Sequence, residues 1–436
     1  MNGYNLVSFL GMFALVAVAW LFSESKKTVN WRLLFWGIVI QLLFAVFIFK
    51  FQTGTDAFLF VNDKVIKVMD SASAGARFVF GRLALSPGQT SETGETSLGF
   101  MLAFQAFPTI IFFSSLMSVL YFLNILPRLI RAFAYVFTQL MKVSGAESLV
   151  TASNIFAGVE SALTIKPYLD RMTRSELCVV LTAGMATVSS NILALYVFSL
   201  QKVFPTIAGH LISASLLSAP AAIIMAKMLV PEKEHPETLG TQVEPYHEPC
   251  SSLFESVIKG AQDGLKMVAG ITALLIAVLG LLSLCDLTLG FLVHRINAVF
   301  GWHLALSLKS ICAYLFYPFT WIMGVAPQDT WTISKIVGER LILTEVVSYQ
   351  DLAAALASGA LKDPRSAVIA TYALCGFAHL ASVAIFVGGV SALAPKRTQD
   401  LTKVAFKALF AATLACMMTA CVAGTFFTGN SLLLGK

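Results

Sequence analysis

Charge is what this sequence has least of. Of its 436 residues only 12% are Asp, Glu, Lys or Arg, while 57% are hydrophobic; that is about half the charge of an ordinary globular protein. The mean hydropathy is strongly positive. A soluble domain is thereby excluded, and a polytopic membrane protein is left. The net charge of +6 is small for the length, and the Lys and Arg residues flank apolar runs instead of gathering on one face, which excludes a nucleic-acid interface. Metal-ligand spacings are also missing. Cys178, Cys285, Cys312, Cys375, Cys416 and Cys421 lie in or beside apolar segments as small fillers, and Cys250, in a polar loop, has no obvious partner. No G-x-S-x-G elbow, H-E-x-x-H, P-loop or nucleophile beside a base is present, so hydrolase chemistry has no residues to use. The first apolar run, Tyr4 to Phe22, lacks a small-residue cleavage site and is expected to be a retained span, not a signal peptide.

What the chain does have is long apolar runs. The spans Tyr4 to Phe22 and Leu33 to Phe49 enclose Lys26, Lys27 and Arg32, a cluster that the positive-inside rule puts in the cytoplasm, with the N-terminus outside. Phe58 to Phe80 has helical spacing and is expected to lie along the membrane, before the loop S-P-G-Q-T-S-E-T-G-E. Leu98 to Leu123 can span with tilt, Pro108 merely kinking it. Arg128 and Arg131 open an amphipathic segment to Lys142, expected as an interfacial helix. His210 to Met228 is a further span, Glu232 to Glu255 an acidic loop and the one plausible linker, Leu265 to Val293 another span, and Leu304 to Met323 an apolar stretch holding Pro318. Pro395, Lys396, Arg397, Lys403 and Lys407 precede the last span, Val404 to Phe427, which puts the C-terminus outside as well.

Polar groups interrupt this pattern in two places. Asn154, Glu160 and Ser161 break one apolar run, leaving the half-length pieces Ser148 to Phe156 and Ala162 to Leu169. Each spans roughly 13 Å as helix, under half the hydrocarbon thickness, so together they form a re-entrant hairpin. Leu177 to Phe198 follows, a broken helix with a small, polar centre from Thr182 to Asn191. The pattern then returns: Ile333 to Leu356 is interrupted by E-R-L-I-L-T-E-V-V-S-Y, and Ser366 to Val390 is centred on L-C-G-F-A-H-L-A-S. Arg174-Ser175 and Arg365-Ser366 open the two broken helices, which makes a weak internal repeat of the inverted-repeat kind. Polar breaks at membrane depth line cavities or meet other protein, and this is the layout of a transport site.

Glu160 and Glu345 take matching places in the two hairpins. A carboxylate in a membrane costs several kcal/mol unless it meets a cation, donor or water; the bland reading pairs them with Arg340 or Lys166 to hold the fold. Asn154 with the carbonyls around Ala157, and Thr187 with those around Val188, offer hard oxygen ligands for a small cation, although helix capping explains Asn154 equally well. His379 is either a hydrogen-bonded core group or a donor to substrate whose titration makes transport depend on pH.

These residues, with F-V-F-G, F-P-T-I-I-F-F-S-S-L-M-S-V-L-Y, K-P-Y-L-x-x-M-T-R-S-E-L, T-A-G-M-A-T, T-E-V-V-S-Y and G-G-V-S-A-L-A-P, resemble the concentrative nucleoside transporter family over nearly the whole chain. The resemblance implies an all-α protein with about eight transmembrane helices plus two re-entrant hairpins. It implies nucleoside uptake coupled to sodium, or to protons as the alternative, by a homotrimer in the bilayer, and the lack of extra N-terminal spans points to a bacterial inner-membrane member. Residues 1–123 and 231–325 would supply a scaffold. Residues 124–230 (hairpin 144–170, broken helix 174–199, span 208–229) and 326–436 (hairpin 330–358, broken helix 366–391, last span 404–427) would form an inverted-repeat transport domain.

Carried over by residue, Gly158, Val159 and Glu160 would face the nucleobase with Ile192 as an apolar contact, and Glu345, Phe377, His379 and Ser382 would face the sugar. Asn154, Ala157, Thr187 and Val188 would hold sodium. The family's G-Q-T-E-A-P is here G-V-E-S-A from Gly158, one residue short, with Val159 in place of Gln and Thr. His379 and Thr344 each stand where asparagine is usual. Two rival expectations follow: a proton-coupled carrier of a different hydroxylated solute using Glu160 and His379, and a membrane receptor that keeps the fold without transporting.

Overall fold

The computed structural model describes residues 3–86, 88–90, 94–246, 250–301 and 306–429, and among them there are seventeen α-helices and no β-strand. The first spans are α1 (Gly3–Leu21) and α2 (Trp31–Lys50), the latter capped by the Asn30 side chain on Leu33 N–H; the amphipathic segment is α3 (Gln52–Phe80). Positions 87 and 91–93 of the following loop lie outside the described residues. The expected span from Leu98 divides into α4 (Leu102–Gln105) and α5 (Phe107–Phe122). Pro108 therefore does not kink a continuous helix but sits in the first turn of α5, where a missing N–H costs nothing. Next come the amphipathic α6 (Ile125–Met141), α7 (Gly145–Asn154), the broken pair α8 (Arg174–Ala186) and α9 (Ser190–Leu200), and α10 (Ile207–Leu229).

Only one limb of the first hairpin is α-helical. Its second limb is 3-10 helix, Val159–Ile165 and Leu169–Arg171, interrupted at Pro167, which has no N–H to donate and whose ring would clash with a preceding turn. The span expected at Leu265 to Val293 is the centre of a much longer α11 (Leu253–Phe300), begun by the Ser252 cap and stopped by left-handed Gly301. At about 1.5 Å per residue its 48 residues exceed twice the hydrocarbon thickness. Then follow α12 (Leu308–Ile322), the second hairpin α13 (Thr330–Glu339) and α14 (Glu345–Ala357), the second broken pair α15 (Pro364–Ala373) and α16 (Leu380–Leu393), and α17 (Thr398–Phe426). Residues 304 and 305 of the expected stretch before α12 are outside the described set. Seven of the described spans are long and apolar enough to cross a membrane, α4–α5 and α8–α9 each counted as one, and α16 is a shorter apolar helix.

The centre of the molecule is the repeat. In the most apolar stretches of α8–α9, α10 and α17, 89% of residues are buried, against 6% in α11, which is the periphery. The two repeated arginines grip opposite ends of α1. Arg174 pairs with Glu24 just beyond its C-terminus at 2.7 Å, while Arg365 donates to Tyr4 O, Asn5 Oδ1 and Ser8 Oγ at 2.9, 2.7 and 2.6 Å. Asn5 in turn donates to Phe427 O, so α1 begins and α17 ends at one face.

Burial pushes the Glu24 carboxyl up, but Lys407 and Arg174 outweigh it and leave it below its usual 4.5. A carboxyl lowered on folding stabilises fully above its unfolded value and loses that contribution as pH falls through the folded one. Wild type should therefore melt above Glu24→Gln at neutral pH, and the gap should close as the buffer is taken below pH 4.5; thermal unfolding in detergent across pH measures it.

Candidate substrate and cation site

The first hairpin is set by its mouth. Ser144 and Glu147 form a capping box on α7, Ser144 Oγ donates to Glu176 Oε1 at 2.6 Å, and buried Lys227 pairs with Glu147 and, at 3.0 Å, with Glu232. Helix α7 then stops at Asn154, leaving its last carbonyls without intrahelical donors. Opposite, α8 stops at Ala186 and the chain runs extended through Thr187 and Ser189 before α9.

The two breaks touch. Ser190 N–H donates to Phe156 O at 3.1 Å, and Ser215 of α10 donates to Ile155 O at 3.1 Å, with Val188 O 3.5 Å away. Gly158 abuts Ser189 so closely that an added Cβ would lie 3.3 Å from its Cβ. The segment holding Asn154 and Ala157 thus lies against the one holding Thr187 and Val188. Asn154 is fully buried; its Nδ2 donates to Val150 O at 3.0 Å, and its Oδ1 accepts from Ser161 Oγ at 2.8 Å. It is the last residue of α7, so N-capping does not account for it. Thr187 Oγ1 donates to Ala183 O at 2.9 Å and keeps its lone pairs, and buried Ser189 Oγ has no hydrogen-bond partner. No cluster of three or more His, Cys, Asp or Glu that could hold a metal occurs among the described residues. A set of neutral oxygens at helix C-termini fits one alkali cation and not a divalent ion.

The second half is built around Glu345, the first residue of α14 and only 3% exposed. Its Oε1 accepts from the Tyr196 hydroxyl at 2.7 Å, and its Oε2 lies 2.9 Å from His379 Nε2. His379 is the N-cap of α16: its Nδ1 accepts from Ser382 N–H at 3.2 Å. That places the ring proton on Nε2, facing the carboxylate. An imidazole can thus take over an asparagine's capping role and reach a carboxylate with its other nitrogen. Ser382 Oγ is held in the same break by His379 O, at 2.6 Å, and by Phe377 O. Leu380 N–H donates to Leu341 O at 3.1 Å, tying this break to the second hairpin. The pairings weighed as bland readings do not form. Arg340 donates to Ala373 O, and Lys166 lies over the Tyr246 ring.

Helix α16 links the two halves. Its Gly389 meets Val159, where a Cβ would come within 2.5 Å of Cγ2, and its Phe386 ring packs on Gly184, where a Cβ would come within 2.2 Å. In front of the first hairpin lies a cavity of about 370 Å³ lined by Ala157, Glu160 and Asn191 together with Tyr121, Tyr246 and Asp263. Glu160 is exposed to it, with one oxygen accepting Gly158 N–H at 3.1 Å. Ile192, Glu345, Phe377, His379 and Ser382 are buried and do not line it. The candidate substrate residues therefore fall into an open half at Glu160 and a closed half at Glu345. Sequence reasoning missed Tyr196, whose signal was a hydroxyl one helical turn beyond Ile192 in the polar-centred span. It named Ser161 only as a polar break and missed Ser215; the fold alone brings both to the cation side.

Two hairpins and two broken helices, related as an inverted repeat and meeting through polar breaks, define a polytopic membrane protein with the architecture of inverted-repeat carriers. The sequence matches the family models for the Na+ dependent nucleoside transporter N-terminus over 10–83 and C-terminus over 210–424, with nucleoside recognition over 103–203. It is 37% identical to mouse solute carrier family 28 member 3, over 96% of this chain and 58% of the relative, and 33% identical to mouse sodium/nucleoside cotransporter 1, over 97% and 64%. Its fold matches the solved structure of CNTnw in an inward-facing substrate-bound state with a TM-score of 0.87 at 32% identity, covering 99% of this chain and 100% of that one. A CNTnw variant in an outward-facing state gives 0.84 at 31%, covering 98% of each. The chain belongs to the sodium-dependent nucleoside transporter family. It spans 58% to 64% of the length of the mouse relatives.

Proposed function

We propose that this protein imports nucleosides, or solutes with the same vicinal hydroxyls, by sodium symport. The observation that carries the reading is the contact between the Asn154–Gly158 break and the Thr187–Ser190 break, which puts a neutral oxygen cluster beside a cavity holding Glu160. The cavity lies within the range of small-molecule sites, roughly 300–1,000 Å³. Sodium binds the oxygens of Asn154, Ala157, Thr187 and Val188 and fixes the first hairpin. The base then faces Gly158, Val159, Glu160 and Ile192, and the sugar hydroxyls exchange with His379 and Tyr196 for Glu345, with Phe377 and Ser382 shaping that end. Each sodium entering gains roughly 2.3 kcal/mol per 100 mV of membrane potential. Residues 124–230 and 326–436 move as the transport unit, with α1 held to it at both ends, against a scaffold containing α5 and α11. The protein works as a homotrimer in a bacterial inner membrane with both termini outside; the shared face of the α1 start and the α17 end supports that topology.

The 2.9 Å contact between His379 and Glu345 favours one second reading, in which the pair carries a proton as the coupling ion. Uptake of radiolabelled uridine and adenosine into proteoliposomes, under an inward sodium gradient or an inward proton gradient, separates the two. Sodium-driven uptake that survives in His379→Asn is the expected result. Uptake driven by protons alone and lost in His379→Asn would replace sodium by the proton, and saturable binding without uptake would leave a receptor.

A further inference from the structure

Arg340 is the strangest charge in the molecule. It is 1% exposed at the C-terminus of α13, its Nη1 donates to Ala373 O at the end of α15, and its Nε and Nη2 have no hydrogen-bond partner. The neighbouring carboxylate does not serve it, since Glu339 pairs with Lys309 at 2.7 Å. A buried guanidinium without an anion is costly unless something else favours positive charge there. Here that is a pair of helix C-termini, each carrying partial negative charge on its last carbonyls.

The inverted repeat says what that place is. Helices α7 and α13 are both ten residues long; α8 and α15 both carry Arg-Ser in the first turn, at the first two positions of α8 and after Pro364 in α15, and both end in a break. In α10 and α17, A-S-L-L-S-A (214–219) matches A-C-M-M-T-A (415–420), and Ser218 Oγ meets Thr419 Oγ1 at 3.1 Å where the halves cross. Ser215 thus corresponds to Cys416. Ser215 donates to Ile155 O beside Asn154, whereas the Cys416 sulfur lies by Arg340 and against Gly376 just past α15, with Ala186 O at the end of α8 3.6 Å on its other side. The C-terminal ends of α7 and α8 frame the cation site proposed above, and the ends of α13 and α15 frame its symmetry mate.

We infer that Arg340 is a tethered cation filling a second, symmetry-related alkali-cation site, so that each chain takes up one sodium and not two. This rests on the sodium reading of the first site. The guanidinium supplies the positive charge that the ends of α13 and α15 attract, and it stays with the protein through the cycle, adding nothing to the charge moved. Cys416, a soft sulfur where the first site has the Ser215 hydroxyl, is a poor sodium ligand and suits a position that no free ion enters.

The test is equilibrium binding of radioactive sodium to the purified full chain in detergent, for wild type, Arg340→Lys and Arg340→Ser, each shown monodisperse by size exclusion. Wild type and Arg340→Lys should bind one sodium per chain with a Hill coefficient near unity. Arg340→Ser should bind two, and sodium should raise its melting temperature more than wild type's, choline having no such effect. Two sodium ions per wild-type chain would overturn the inference without any variant, which covers an Arg340→Ser that does not fold. One sodium in a folded Arg340→Ser would overturn it too. A wild type that binds none removes the first site and this one with it, an outcome distinct from the others.

Discussion

Glu345→Gln lowers the initial rate of sodium-driven uridine uptake about a hundredfold, the largest effect expected of any conservative change in the site. Removing one partner of a buried, hydrogen-bonded charge pair costs roughly 2–5 kcal/mol, much of it the penalty left on the other group. Here both carboxylate oxygens are engaged, one by the Tyr196 hydroxyl and one by His379 Nε2. An amide keeps one acceptor: its NH2 either meets the His379 N–H, donor against donor, or turns to the Tyr196 hydroxyl, which must then accept instead of donate, and in both cases the negative charge beside His379 is lost. Tyr196→Phe deletes a single neutral donor and should cost nearer 1 kcal/mol, or about fivefold. The order of the two variants matters as much as the size. If Glu345→Gln transports like wild type in protein shown to be folded and reconstituted, Glu345 does not hold the sugar. If Tyr196→Phe is the more damaged, the tyrosine and not the carboxylate is the main contact.

The sequence makes the breaks legible but not what crosses them. Asn154, Glu160, Thr187 and Glu345 announce themselves because a polar group in an apolar run needs a partner, and the Arg-Ser openings give away the repeat. Helix ends are less legible. Ser252 and Gly301 set α11 far beyond its apolar centre, since caps and left-handed glycines act through backbone groups that hydropathy does not register. Pro167 marks where the second limb of the first hairpin is interrupted, but composition alone does not choose 3-10 geometry over a shorter helix. Pairings distant in sequence are least legible of all. His379 with Glu345, Ser161 with Asn154 and Ser215 with Ile155 O depend on the fold. For the first of these the fold shows something that substitution of asparagine by histidine does not: one imidazole nitrogen caps a helix while the other meets a carboxylate.

Asn154→Ala should raise the sodium concentration for half-maximal uptake ten- to a hundredfold while leaving appreciable uptake at saturating sodium. Asn154 Oδ1 is the one side-chain amide oxygen at the end of α7, and it is held in place by Ser161 Oγ at 2.8 Å while Nδ2 is anchored on Val150 O at 3.0 Å. Losing a preorganised ligand to a cation is worth roughly 1.5–3 kcal/mol on the scale of hydrogen bonds to charged groups, and each 1.4 kcal/mol is about tenfold in affinity. The carbonyls near Ala157 and Val188 and the Thr187 hydroxyl remain, which is why affinity and not capacity should suffer. Ser161→Ala is the control that separates ligation from scaffolding. It removes the hydroxyl that orients Oδ1 but keeps the oxygen itself, so its half-saturating sodium should shift by less than about threefold, within the worth of one neutral hydrogen bond. Sodium titrations of uridine uptake at fixed membrane potential measure both. Equal shifts in the two variants would mean that Asn154 acts by holding the hairpin tip, and an unchanged sodium dependence in Asn154→Ala would move the cation away from the end of α7.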